Sequence, residues 1–206
     1  ELFLKIAKAV QYAHQNFIIH RDLKPANVLV DQRGEPKLLD FGIAKVMENA
    51  ALPTLDTQAF LLTPEYASPE QLAGQNITIT TDVYLLGLLL YELITYAKPF
   101  VTQGKDLLAI HQERQKQAIT PPLKYIHQQS IPRDTTGISA DLDAIVLQML
   151  AYEPQERYSS VEALVEDLEA LLANCTLSIS IKHWQKLKRR PKRPNAFRVK
   201  PKMKPK

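Results

Sequence analysis

Cysteine is almost absent from this chain: of 206 residues only Cys175 carries a thiol, so no intrachain disulfide can form. A chain of this size without a disulfide framework fits a reducing compartment, and a cytoplasmic setting is expected. The sequence opens without the basic, apolar and small-residue pattern of a signal peptide. Its longest apolar run, residues 83–94, is roughly 12 residues against the ~20 that span a bilayer, which predicts a buried core helix and no transmembrane segment. There is no internal repeat, and no methionine stands at position 1. Glu1 falls inside a helical pattern, so a fragment truncated at its N-terminus is expected.

Acidic residues are missing from one stretch altogether: residues 182–206 hold 12 Lys or Arg and no Asp or Glu. Setting those 12 aside leaves 14 basic against 22 acidic side chains in residues 1–181, a net charge of −8 beneath an overall +4. The basic balance therefore describes a tail, while the 45% apolar composition supports one globular domain with a real core. Pro191, Pro194, Pro201 and Pro205 block any long helix in the tail. Residues 174–206 are expected to be disordered. Their charge suits an anionic membrane or nucleic acid, and a merely solvated tail is the plainer reading.

Apolar periodicity organises the rest. Leu2, Ile6, Val10 and Ala13 recur at helical spacing and predict an amphipathic helix to about Gln15. Residues 28–30, the turn Asp31-Gln32-Arg33-Gly34 and residues 36–39 read as strand, turn, strand. Residues 43–68 lack a clear period, the mark of a functional or mobile segment. Thr80 or Thr81 is placed to cap the apolar helix that runs to about Tyr96. Residues 106–117 read as a polar surface helix; Ser139 precedes a further helix, residues 140–152, with Leu142, Ile145, Val146 and Met149 on one apolar face. Ser159 and Glu162 have capping-box spacing ahead of a last helix striped by Val161, Leu164, Leu168 and Leu171.

Chemistry concentrates in His20-Arg21-Asp22-Leu23-Lys24-Pro25-Ala26-Asn27 and, past the hairpin, Asp40-Phe41-Gly42. Moving a phosphoryl group to a hydroxyl needs a carboxylate near the attacking oxygen, cations on the developing charge and oxygen ligands for magnesium. Asp22 and Asn27 lie five apart in one loop, and the hairpin returns Asp40 to the same place. Turn chemistry would explain each of the three alone but not all together.

These motifs resemble the catalytic loop and metal-binding turn of the protein kinases. The resemblance implies that Asp22 orients and takes the proton of the substrate hydroxyl, that Lys24 contacts the transferred phosphate, and that Asn27 and Asp40 hold magnesium or manganese beside ATP. It continues in Thr63-Pro64-Glu65-Tyr66-Ala67-Ser68-Pro69-Glu70, similar to the end of an activation segment with Ser68 where Ala is commoner. Thr63 would then face Asp22 and Lys24, which, with Lys24 itself, implies Ser/Thr rather than Tyr as acceptor. Asp82, with Gly87, is similar to the start of the central helix whose Asp accepts hydrogen bonds from the catalytic-loop backbone. Arg157 is similar to the arginine that pairs with the Glu of Pro-Glu, here Glu70. By the same resemblance His20 is a structural hydrogen-bonding residue, and Arg21 is either a surface cation or the binder of a phosphorylated activation segment. Phe41 and Gly42 belong to the metal-binding turn. Thr54 and Thr57 are candidate phosphosites, or simply loop residues, and Cys175 is inert.

The wording around the motifs is similar to bacterial members of the family, with residues 1–173 covered. The implied fold is α+β, a kinase-like C-terminal lobe that is mainly helical with a short hairpin at the catalytic loop. The implied activity is transfer of the ATP γ-phosphate to protein Ser or Thr. Residues 1–206 contain no Gly-rich phosphate loop, no strand Lys with a helix Glu partner and no hinge. Weak or no activity of this chain alone is therefore expected, and a noncatalytic scaffold or pseudokinase remnant is the rival reading. A small-molecule phosphotransferase would share the loop Asp and Asn but not the activation-segment resemblance, which builds a peptide platform.

Overall fold

The computed structural model describes residues 1–41, 63–129 and 138–173. The expectations attached to Gly42, Thr54, Thr57, Cys175 and the basic tail lie outside these residues. Among the described residues there are seven α-helices and one two-stranded sheet. In chain order they are α1 (Leu2–Gln15), β1 (Val28–Val30), β2 (Pro36–Leu38), α2 (Pro69–Leu72), α3 (Ile79–Thr95), α4 (Leu107–Lys116), α5 (Pro122–Gln129), α6 (Ala140–Met149) and α7 (Val161–Leu172).

Helix α3 is the axis of the core. Val83, Tyr84, Leu85, Leu86, Leu88, Leu89, Leu90 and Tyr91 are all buried, so the helix is apolar nearly all round, as an interior helix must be. It is packed by α1, α5, α6 and α7, and α1 lies along α7. Close approach to the end of α6 is permitted by Gly87, where an added Cβ would meet Met149 Cβ and Leu150 Cδ2 at 2.9 Å. None of the helices among the described residues is long and apolar enough to cross a membrane.

The expected elements appear with local shifts. The buried stripe of α1 runs Phe3, Ile6, Ala7, Val10 and Ala13, so Phe3 rather than Leu2 faces inward. The N-cap of α3 is Thr78, not Thr80 or Thr81; Thr81 sits three residues in, and its Oγ1 accepts from the Thr78 N–H at 3.2 Å. Helix α6 stops at Met149, three residues before Tyr152. Ser160, not Ser159, caps α7, its hydroxyl accepting from the Ala163 N–H at 3.2 Å. Helix α5 carries only Pro122 and Ile126 inward, too thin a stripe for the sequence to announce.

The hairpin forms, its second strand ending at Leu38 rather than Leu39, antiparallel with Val28 opposite Leu38 and Val30 opposite Pro36. Asp31 ties its turn by accepting from the N–H groups of Arg33 and Glu35, at 2.9 and 3.0 Å. Those donors, Glu35 first, hold the Asp31 carboxyl below its usual range. Gly34 supplies the left-handed step, with φ of 78°. The second strand rests on α1, which fixes the hairpin against the helical core.

Candidate active site

The loop from His20 to Asn27 has little regular structure of its own and is held by side chains from elsewhere. Asp82, in the first turn of α3 and wholly buried, accepts from the backbone N–H groups of His20 and Arg21, each at 2.8 Å. A third contact at 2.8 Å comes from His14 Nε2 at the end of α1. One carboxylate thus ties α1, α3 and the loop together. Arg21 needs such support, because its φ of 68° is a left-handed conformation rare for a side-chain-bearing residue. His20 is fully buried, and Phe41 lies on its ring at 4.6 Å between centroids. Burial pushes the His20 pKa below its usual value against the opposing pull of Asp82.

Past this anchor the polar side chains converge. Asn27 Nδ2 donates to the Asp22 carbonyl at 2.8 Å and to Asp22 Oδ2 at 2.9 Å. Lys24 Nζ lies 2.9 Å from the same Oδ2 and donates to Thr63 Oγ1 at 3.1 Å. Thr63 follows the segment that lies outside the described residues, so a cation links the loop carboxylate to a hydroxyl from a sequence-distant turn. Asp40 is exposed and left-handed, with φ of 49°. It is bracketed by two attachments to the same loop: the Leu39 N–H donates to the Asn27 carbonyl at 2.9 Å, and Phe41 packs on His20.

The turn after Thr63 is fastened as firmly. Arg157 and Glu70 form a buried two-pronged pair at 2.7 and 2.8 Å, and Thr81 Oγ1 donates to Glu70 Oε1 at 2.8 Å. The remaining Arg157 donors reach the carbonyls of Ala151, Tyr152 and Thr80, and its guanidinium lies over Tyr84. Glu65 meets Lys98, and Tyr66 donates to Glu92; burial, then that carboxylate, pushes the Tyr66 hydroxyl pKa up.

Three members of this framework were not singled out from the sequence. His14 supports Asp82. Gln71 donates from Nε2 to the Arg21 carbonyl at 2.7 Å. Arg114, on the helix read as surface, is buried and donates from Nη2 to the Pro64 and Glu65 carbonyls at 2.7 and 3.2 Å. Only Gln71 carried a local signal, since Ser68-Pro-Glu-Gln71 has capping-box spacing with Pro at the first helical position. The others act across the fold.

The donor set suits a hard cation. With both Asn27 amide hydrogens committed to Asp22, its Oδ1 is the atom left to ligate, and Asp40 adds an exposed carboxylate. Among the described residues no group of three or more His, Cys, Asp or Glu side chains is arranged to hold a metal. Two oxygen ligands completed by phosphates and water is the arrangement magnesium accepts.

A sequence profile, Protein kinase domain, matches residues 1–168, and the chain belongs to that family. A probable serine/threonine-protein kinase of Corynebacterium efficiens is 34% identical over 185 residues, 90% of this chain and 27% of the relative. One from Streptomyces coelicolor is 35% identical over 175 residues, 84% of this chain and 24% of the relative. The serine/threonine-protein kinase PknB of Mycobacterium tuberculosis is 36% identical over 168 residues, 82% of this chain and 25% of the relative. This chain is thus a member of the protein kinase family whose relatives named here are bacterial, and it spans about a quarter of the length of the curated relatives it matches.

Proposed function

We propose that residues 1–173 are the C-terminal lobe of a protein kinase and supply the transfer half of a site moving the ATP γ-phosphate to protein Ser or Thr. The observation that carries this is the bridge from Asp22 Oδ2 through Lys24 Nζ to Thr63 Oγ1, at 2.9 and 3.1 Å. It sets a carboxylate, a cation and the start of a peptide platform within a few ångströms of one another. Asp22 orients the acceptor hydroxyl and takes its proton, and Lys24 neutralises charge on the moving phosphoryl group. Magnesium, when bound, would be held by Asn27 and Asp40 and would supply charge neutralisation. Catalysis then rests on positioning and electrostatics.

The second reading is a noncatalytic scaffold that only binds partners. The two readings separate when residues 1–206 are fused behind the small lobe of a related bacterial kinase and given a Ser/Thr peptide with ATP and magnesium. Phosphate transfer by the fusion, reduced by about 10² or more in Asp22→Ala, is expected from the transfer reading. Equal phosphate incorporation by both, or none by either, favours the scaffold. Residues 1–206 alone are expected to transfer little.

A further inference from the structure

Asp22 follows a residue in a conformation that needs holding from outside. Both backbone polar groups of left-handed Arg21 are gripped by side chains. Its N–H donates to Asp82 Oδ1 on α3 at 2.8 Å, and its carbonyl accepts from Gln71 Nε2 on α2 at 2.7 Å. Gln71 is 8% exposed, and its amide cannot be turned over. Its Oε1 accepts from the Ser68 N–H at 2.9 Å, so a flipped amide would set donor against donor at Ser68 and oxygen against oxygen at Arg21.

We propose that Gln71 is a positioning residue for Asp22, clamping the Arg21 carbonyl from the helix that continues the Thr63–Tyr66 turn. The chain thereby couples the peptide platform to the proton-accepting loop through one amide. Ser68 assists only in part. Its hydroxyl accepts from the Gln71 N–H at 3.2 Å, but the bond that orients the Gln71 side chain comes from the Ser68 backbone and survives loss of the hydroxyl. The kinetic consequence rests on the phosphoryl-transfer reading above, whereas the clamp itself does not.

The diagnostic variant is Gln71→Glu, which keeps the shape and replaces the donor facing the Arg21 carbonyl by an acceptor. Gln71→Met, which keeps the volume and removes both bonds, covers the case in which the glutamate variant does not fold. Ser68→Ala is the control. In 15N–1H spectra of residues 1–206, the amides of His20, Arg21 and Asp22 should shift and exchange about tenfold faster in both Gln71 variants, while amides of α3 hold; Ser68→Ala should move only its own helix. In the fusion, the Gln71 variants should lose about tenfold in kcat with peptide KM within about twofold, because a displaced carboxylate harms chemistry more than binding. Unchanged amides at residues 20–22 would overturn the proposal, as would a raised KM with kcat intact. An inactive unmutated fusion would count against the transfer reading, and the spectra would still decide the clamp.

Discussion

At the scale of single residues, the heaviest electrostatic commitment is the Glu70–Arg157 pair, whose side chains are 2% and 0% exposed. Such a pair contributes little beyond a well-packed apolar substitute, but removing one partner strands the other's charge. Glu70→Ala should therefore cost about 3–5 kcal/mol in urea unfolding, and adding Arg157→Met should cost less than the sum of the two single changes. The pair also carries a pH signature. Burial pushes the Glu70 carboxyl up, but hydrogen bonds and charge from Arg157 outweigh it and leave the carboxyl below its usual range. With the folded pKa depressed, the stabilisation is complete above the unfolded glutamate value of ~4.3 and fades as pH falls through the folded one. Unfolding free energies of the unmutated chain and Glu70→Gln should accordingly converge on acidification from neutrality. A gap that grew in acid would contradict this account.

Helices and caps show what could be read locally and what could not. The 3.6-residue stripes placed α1, α6 and α7 because each buries an apolar face, and a continuous apolar run placed α3 because it is buried nearly all round; both requirements are written in consecutive residues. Cap positions slipped by one to three residues because Ser159-Ser160 and the threonines at 78, 80 and 81 offer several hydroxyls, and backbone geometry alone chooses among them. The slip is testable. Ser160→Ala should lower stability by about 1 kcal/mol in thermal or urea unfolding, whereas Ser159→Ala should lie within ~0.5 kcal/mol of the parent. Helix α3 offers a sharper case in Gly87→Ala. The methyl group gains up to ~1 kcal/mol of helix propensity but meets Met149 and Leu150 at 2.9 Å, a crowding that costs about 1–3 kcal/mol. The melting temperature should fall, and a rise would mean that α3 and α6 separate freely.

Across the whole molecule, the polar loop of residues 20–27 and the hairpin were legible because their residues are contiguous. The framework was not: His14 meets Asp82 across 68 residues, and Gln71 and Arg114 reach their carbonyls across 50. No local pattern encodes a partner at that distance, and a polar helix such as α4 gives no sign that its arginine turns inward onto Phe100. Charge segregation is a global property that was legible, because it needs only counting. Residues 1–181 carry −8 and residues 182–206 carry +12. Contacts between that tail and a polyanion would release counterions, so binding of residues 1–206 to duplex DNA, used as a probe, should weaken steeply with salt. The slope of log K against log salt should approach about −11 if all 12 cations engage, and be proportionally shallower for fewer. A chain ending at residue 181 should lose retention on DNA and on anionic vesicles alike, since its net charge repels both. Retention by the shortened chain, or a slope near zero in the full one, would move the binding surface onto the acidic body, where the charge count gives it no support.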